Sequence, residues 1–157
     1  MLYAILKTVH VLSIILWVGG MAFTLFFLRP AVASLEPPVR LRLMQNVLGR
    51  FFAAVLALAL LTLISGTWMM LDVAGRAAEL PGAEFRIPWT WSLMAGLGVL
   101  MIAIFGHIRF VLYQRLRIAV VDSAWAAGGA AMSAIRVWVR VNLAIGLVIV
   151  AVVVLLG

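Results

Sequence analysis

Residues 51–71 read FFAAVLALALLTLISGTWMML, with no acid or base among them and without the alternation that marks a strand of a membrane barrel. A helix rises about 1.5 Å per residue, so a run of about 20 apolar residues crosses the roughly 30 Å hydrocarbon core of a bilayer. In that medium only helices and closed barrels satisfy their own backbone hydrogen bonds. The stretch is therefore a membrane-spanning helix. Three further runs have the same character: Tyr3 to Leu28, Trp89 to Ile108 and Val137 to Leu156. The expected fold is all-α, an integral membrane four-helix bundle forming one transmembrane domain over residues 1–157.

Composition agrees with this reading. The chain is 67% hydrophobic and 11% charged, with a mean hydropathy of +1.24, far outside the range of a soluble domain. There is no cysteine, so disulfides, thiolate metal sites and zinc ribbons are excluded. A metal would have to use histidine, methionine, carboxylate or backbone oxygen. The net charge of +7 invites a nucleic-acid reading, but the arginines border the apolar runs, where orientation in the membrane accounts for them. No nucleic-acid partner is expected; the lipid bilayer is, together with a second copy or another membrane subunit.

Nine of the 12 basic residues fall in two connections: Arg29, Arg40, Arg42 and Arg50 in one, Arg109, Arg115, Arg117, Arg136 and Arg140 in the other. The positive-inside rule puts both in the cytoplasm and both termini outside, in a multi-pass protein of the bacterial inner membrane. Ala31-Val32-Ala33 has the form of a signal-peptidase site, but the preceding run is too long for a signal peptide and Arg29-Pro30 intervenes. Pro37-Pro38 is expected to open a helix that continues into the second span. The third span is expected to overrun the membrane toward Trp125 and break at Gly128-Gly129. Val73 to Pro88 reads as an outer loop with a Pro81-Gly82 turn.

Two histidines carry the chemistry. On the first span Tyr3, Lys7, His10, Ser13, Trp17, Gly20 and Thr24 share one face at helical spacing, and an ionisable residue there needs a partner or a function. His10 suits a metal or haem ligand, a proton relay, or a neutral imidazole bonded across the bundle to Thr62 or Ser65. Lys7, one turn away, would favour the neutral ring. His107 follows a stripe of small residues, Ser92, Gly96, Ala103 and Gly106, expected to admit a neighbouring helix closely. It stands near the membrane edge. His10 lies about 10 Å below Tyr3 and His107 about 27 Å below Trp89, whereas two axial imidazole nitrogens on one haem sit about 4 Å apart. One haem held by both within a single chain is therefore not expected. Met69, Met70 and Met94 fall near the depth of His10, and thioethers with an imidazole suit Cu(I). Asn142 reads as a polar link between helices. No nucleotide-binding loop, nucleophile elbow or paired carboxylates occur.

Lys7-Thr-Val-His10 through Trp17-Val-Gly19-Gly20 to Leu28-Arg29-Pro30 resembles the opening of the copper-resistance-D (CopD) family and of the related HemJ-type protoporphyrinogen oxidases. The likeness extends through Gly49-Arg50-Phe51, Ser65-Gly66, Pro88-Trp89, Gly106-His107 and Arg140-Val-Asn142. It implies haem or copper chemistry, with His10 the best-matched functional residue and Lys7, Trp17 and His107 around the cofactor. Haem b in a membrane redox protein is the leading expectation. The alternatives are copper handling, with His10, Met69, Met70 and Met94 as metal ligands, and a non-catalytic accessory subunit. Any activity carried over would be that of an oxidoreductase. The HemJ-type enzymes, however, place a His and a Lys where this chain has Trp91 and Leu93.

Overall fold

The computed structural model describes residues 1–79 and 87–156, and among these every regular element is helical. Four helices are long and apolar enough to cross a membrane: α1 (Leu2–Ala31), α2 (Pro37–Ala78), α3 (Trp89–Val121) and α4 (Trp125–Leu156). In the most apolar window of each, only 22% to 28% of the residues are buried inside the chain. The remainder, including Leu60, Ile64, Phe26, Leu147 and Val148, points outward. So much contiguous apolar surface would aggregate in water and is the face a bilayer covers. The chain is a multi-pass membrane protein in contact with lipid.

α1 packs chiefly along α2, α3 along α4, and α4 closes the bundle against α1. Pro37 and Pro38 occupy the first turn of α2, where no backbone donor is needed. Two expected boundaries move. Val73 to Ala78 is helix, with Asp72 and Arg76 paired at 3.1 Å one turn apart; the expected Pro81-Gly82 turn lies outside the described residues. The break between α3 and α4 comes at Asp122–Ala124 instead of Gly128-Gly129. There Ser123 takes φ 56°, while Ala124 N–H donates to Ala119 O at 2.8 Å and Ser123 N–H to Val120 O at 3.3 Å. These two bonds around a left-handed residue satisfy the last carbonyls of α3 and reverse the chain. Gly128 instead sits within α4, where an added methyl would meet Leu41 Cδ1 at 3.0 Å.

Both α1 and α3 contain one wide turn. Arg29 N–H donates to Thr24 O and Tyr113 N–H to Ile108 O, each five residues back. In α1 the cause is Pro30, which cannot donate to the carbonyl four residues earlier and whose ring crowds it.

The tightest packing is at the arginine-rich end, where Met44, Leu48, Leu116 and Ile135 are at most 1% exposed. The expected close approach along Ser92, Gly96, Ala103 and Gly106 does not occur. Ser92, Gly96 and Ala103 face outward, and a methyl added at Gly96 or Gly106 would meet nothing within 4 Å. Helices instead close on side chains seated against Gly20 (Phe51), Gly49 (Tyr113), Gly66 (His10) and Gly146 (Val18). Asn142 is buried, but its Oδ1 has no partner.

Candidate functional site

The polar face of α1 turns into the bundle as its spacing predicts. Ser13, Trp17 and Thr24 are buried, Tyr3, His10 and Gly20 are half-buried, and only Lys7 is exposed. The His10 ring lies against α2 at Gly66, so close that an added methyl would stand 2.9 Å from its Cε1. Glycine permits this approach, since a Cβ there would push the ring back from α2. Pressed against the backbone, His10 Nδ1 sits 3.0 Å from the Thr62 carbonyl oxygen and 3.1 Å from Ser65 Oγ. A carbonyl oxygen only accepts, so Nδ1 carries the hydrogen and donates it. Ser65 in turn donates to Leu61 O at 2.5 Å. In the neutral ring this arrangement leaves Nε2 with its lone pair free, the tautomer in which a histidine binds a metal.

His10 lines a cavity of about 250 Å³ bordered by all four helices. α1 contributes His10 and Trp17, α2 Thr62, Gly66 and Met70, α3 Met94 and Met101, and α4 Gly146. The wall is almost wholly apolar, and the exceptions are informative. Thr62 Oγ1 is buried with no hydrogen-bond partner, on a residue whose carbonyl already holds His10. One histidine, three methionines and a threonine whose hydroxyl has no partner thus line one space from three helices. Among the described residues no three of His, Cys, Asp and Glu cluster together. Hard cations, which want oxygen ligands, gain nothing here, whereas a soft cation finds its preferred donors.

Beside Trp17 the core is aromatic. Trp17 meets Phe105 edge-on at 5.8 Å, Phe105 meets Phe52 at 6.1 Å, and Phe52 meets Tyr113 at 5.5 Å. All four rings are buried, and Tyr113 belongs to the arginine-rich end. The geometry is that of a pocket with a packed aromatic cluster beside Trp17.

The sequence-derived candidates therefore separate. His10, Trp17, Met70 and Met94 line the cavity; Met69 does not. Lys7 is exposed. His107 is also exposed and stacks edge-on against Trp138 with ring centroids 5.4 Å apart, outside the cavity lining. Met101 joins the site unanticipated, although its position seven residues after Met94 places both on one helix face. Thr62 was foreseen as a hydroxyl partner of His10, yet it serves through its carbonyl. That exchange depends on the rotation of α2 about its axis, which residue types do not encode.

Over residues 45–156 the chain matches the family model described as Copper resistance protein D (CopD). The matched stretch includes Thr62, Gly66, Met70, Met94 and Met101 and leaves out α1. No curated protein and no solved structure matches the chain.

Proposed function

Because this chain belongs to the copper resistance protein D family, we propose that it handles copper in the bacterial inner membrane, taking Cu(I) as its cargo in the His10 cavity. The observation that carries this reading is the donor set. A neutral imidazole with Nε2 free and the thioethers of Met70, Met94 and Met101 border one apolar space. Imidazole and thioether ligands favour Cu(I) over hard divalent ions. The dry wall supports the same assignment, since a monovalent ion with neutral ligands carries little charge to desolvate compared with a divalent one. With both termini outside, as the arginine distribution indicates, the cavity receives its cargo from the outer half of the membrane. The packed aromatic cluster beside it favours holding and handing over, not free conduction.

A haem b group is not supported by the same cavity. Sites for drug-sized ligands enclose about 300–1,000 Å³, a porphyrin belongs among the larger of these, and this space is about 250 Å³. His107, the other imidazole, is outside it.

The test is Cu(I) occupancy of the detergent-purified protein under anaerobic conditions, measured by competition with a chromogenic Cu(I) chelator. His10→Ala should abolish stoichiometric binding, and Met94→Leu with Met101→Leu should weaken it by at least tenfold. His107→Ala should leave it unchanged. Full Cu(I) occupancy in His10→Ala, or loss only in His107→Ala, would sink the assignment.

A further inference from the structure

A second concave site lies at the arginine-rich end, away from His10 and lined by none of the cavity residues. It encloses about 440 Å³, and its charged lining consists of Arg29 from the end of α1, Arg40 from the start of α2, and Arg136 and Arg140 from α4. Its floor is apolar, with Leu41, Met44 and Met132. No acid lines it. Among the described residues the one ion pair is Arg76 with Asp72, which involves none of these four arginines.

The arrangement is costly as it stands. Four guanidinium groups from three helices converge on one space, and their mutual repulsion is uncompensated by the chain. Arg40 donates from Nη1 to Ala33 O at 3.3 Å, which accounts for one of its five donors. Arg136 Nε is buried with no hydrogen-bond partner, and such a donor costs free energy until something accepts from it. Arginines that only orient a membrane protein need not converge. Arg115 and Arg117 of the same charged end are exposed and stand outside the pocket.

We propose that this pocket binds a phosphate-bearing anion, either the headgroup of an anionic phospholipid or a soluble phosphate ester. Guanidinium forks match phosphate oxygens in pairs, and a bound anion offsets the mutual repulsion of the four arginines. The position, just beyond the apolar parts of α1 and α4, is that of lipid headgroups, and basic pockets between membrane helices suit them. The apolar floor accommodates the glycerol and first methylenes of a lipid. A soluble anion would use the arginines alone.

The experiment takes the delipidated full chain in neutral detergent and titrates it with phosphatidylglycerol, phosphatidylcholine or inorganic pyrophosphate. Bound lipid is counted by native mass spectrometry, and melting temperature is followed in parallel. Saturable, one-to-one binding of phosphatidylglycerol but not phosphatidylcholine identifies the lipid source; saturable stabilisation by pyrophosphate identifies the soluble one. Arg136→Gln with Arg140→Gln should weaken either by roughly thirtyfold, each guanidinium near an anionic surface contributing about a factor of five. Arg115→Gln with Arg117→Gln should change it less than twofold. Ser133→Glu, at an exposed position on the pocket rim, supplies an internal counter-charge without removing an arginine. It should raise the melting temperature of the anion-free protein and abolish the response to both probes. The proposal fails if neither probe binds saturably, if the Arg115 and Arg117 pair loses as much as the pocket pair, or if Ser133→Glu leaves binding intact.

Discussion

Replacing Gly66 by alanine isolates the seat of His10 from its ligand chemistry. The added methyl would stand 2.9 Å from His10 Cε1 and 3.3 Å from Nδ1, against about 3.5–4.0 Å for an unstrained carbon contact. The ring must withdraw from α2 by about 0.6 Å to restore that spacing. Withdrawal along the bond would stretch the 3.0 Å contact from Nδ1 to the Thr62 carbonyl to about 3.6 Å, beyond hydrogen-bonding distance. Leaving a partly buried donor unpaired costs about 1–3 kcal/mol, while alanine in a helix interior returns about 1 kcal/mol relative to glycine. The net loss of stability is then about 0–2 kcal/mol, small enough to leave a folded protein. Copper binding should suffer more, because freeing a metal-binding histidine from its orienting hydrogen bond typically costs 10–100-fold in affinity. We expect Gly66→Ala to weaken Cu(I) binding by at least tenfold in the chelator competition, with a melting point near that of the parent. Gly96→Ala is the control, since a methyl there meets nothing within 4 Å; it should bind Cu(I) normally. Unchanged affinity in Gly66→Ala, or an equal loss in Gly96→Ala, would refute the view that the ring is positioned by this contact.

Three further outcomes follow from the packing. Gly49→Ala would drive a methyl into the Tyr113 hydroxyl, which donates to Gln45 O at 3.1 Å. It should destabilise the bundle by about 1–3 kcal/mol, and by clearly less in a Tyr113→Phe background, so additive melting-point losses across the cycle would contradict the assigned contact. Ser65→Ala removes the weaker of the two acceptors facing His10 Nδ1 and leaves the Thr62 carbonyl in place. Cu(I) affinity should fall by no more than about fivefold, a loss of order 1 kcal/mol for one such bond; complete loss would mean that the serine, not the carbonyl, fixes the tautomer. In this cysteine-free chain, Ser34→Cys and Glu79→Cys lie at opposite ends of α2 in exposed positions. An impermeant thiol reagent added to intact cells should label Glu79→Cys alone, and labelling of Ser34→Cys alone would reverse the orientation.

The number of helices and their apolar cores are legible in sequence because hydrocarbon thickness and absence of charge are one-dimensional properties. Helix ends beyond the membrane are less so. Gly128-Gly129 reads as a break by residue type, yet Gly128 serves helix packing, and the turn is made by Ser123, a residue with no strong claim to a left-handed backbone. The polar stripe of α1 is readable from helical spacing, and so is the company of Met70 and Met94 near His10. The small residues of α3 mislead, since small size permits a close contact without specifying a neighbour. Which arginines converge cannot be read at all from their order. Arg29, Arg40, Arg136 and Arg140 come from three helices, and the dense charge nearby at Arg115 and Arg117 is no guide to them.

The wide turn at Thr24–Leu28 alters the phase of α1. One extra residue absorbed in a turn sets every later residue back by about 100° relative to an uninterrupted α-helix of the same length. The angular position of Arg29 is therefore offset from the stripe that carries His10, Ser13 and Trp17 and cannot be extrapolated along it. Returning Thr24–Leu28 to regular α-helix at unchanged length, as Pro30→Ala would permit, would swing Arg29 by about 100°, away from the other three arginines. His10, upstream of the slip, would keep its bearing on α2. Proline at position 30 thus acts as an angular spacer, allowing one helix to aim an imidazole at one site and a guanidinium at another.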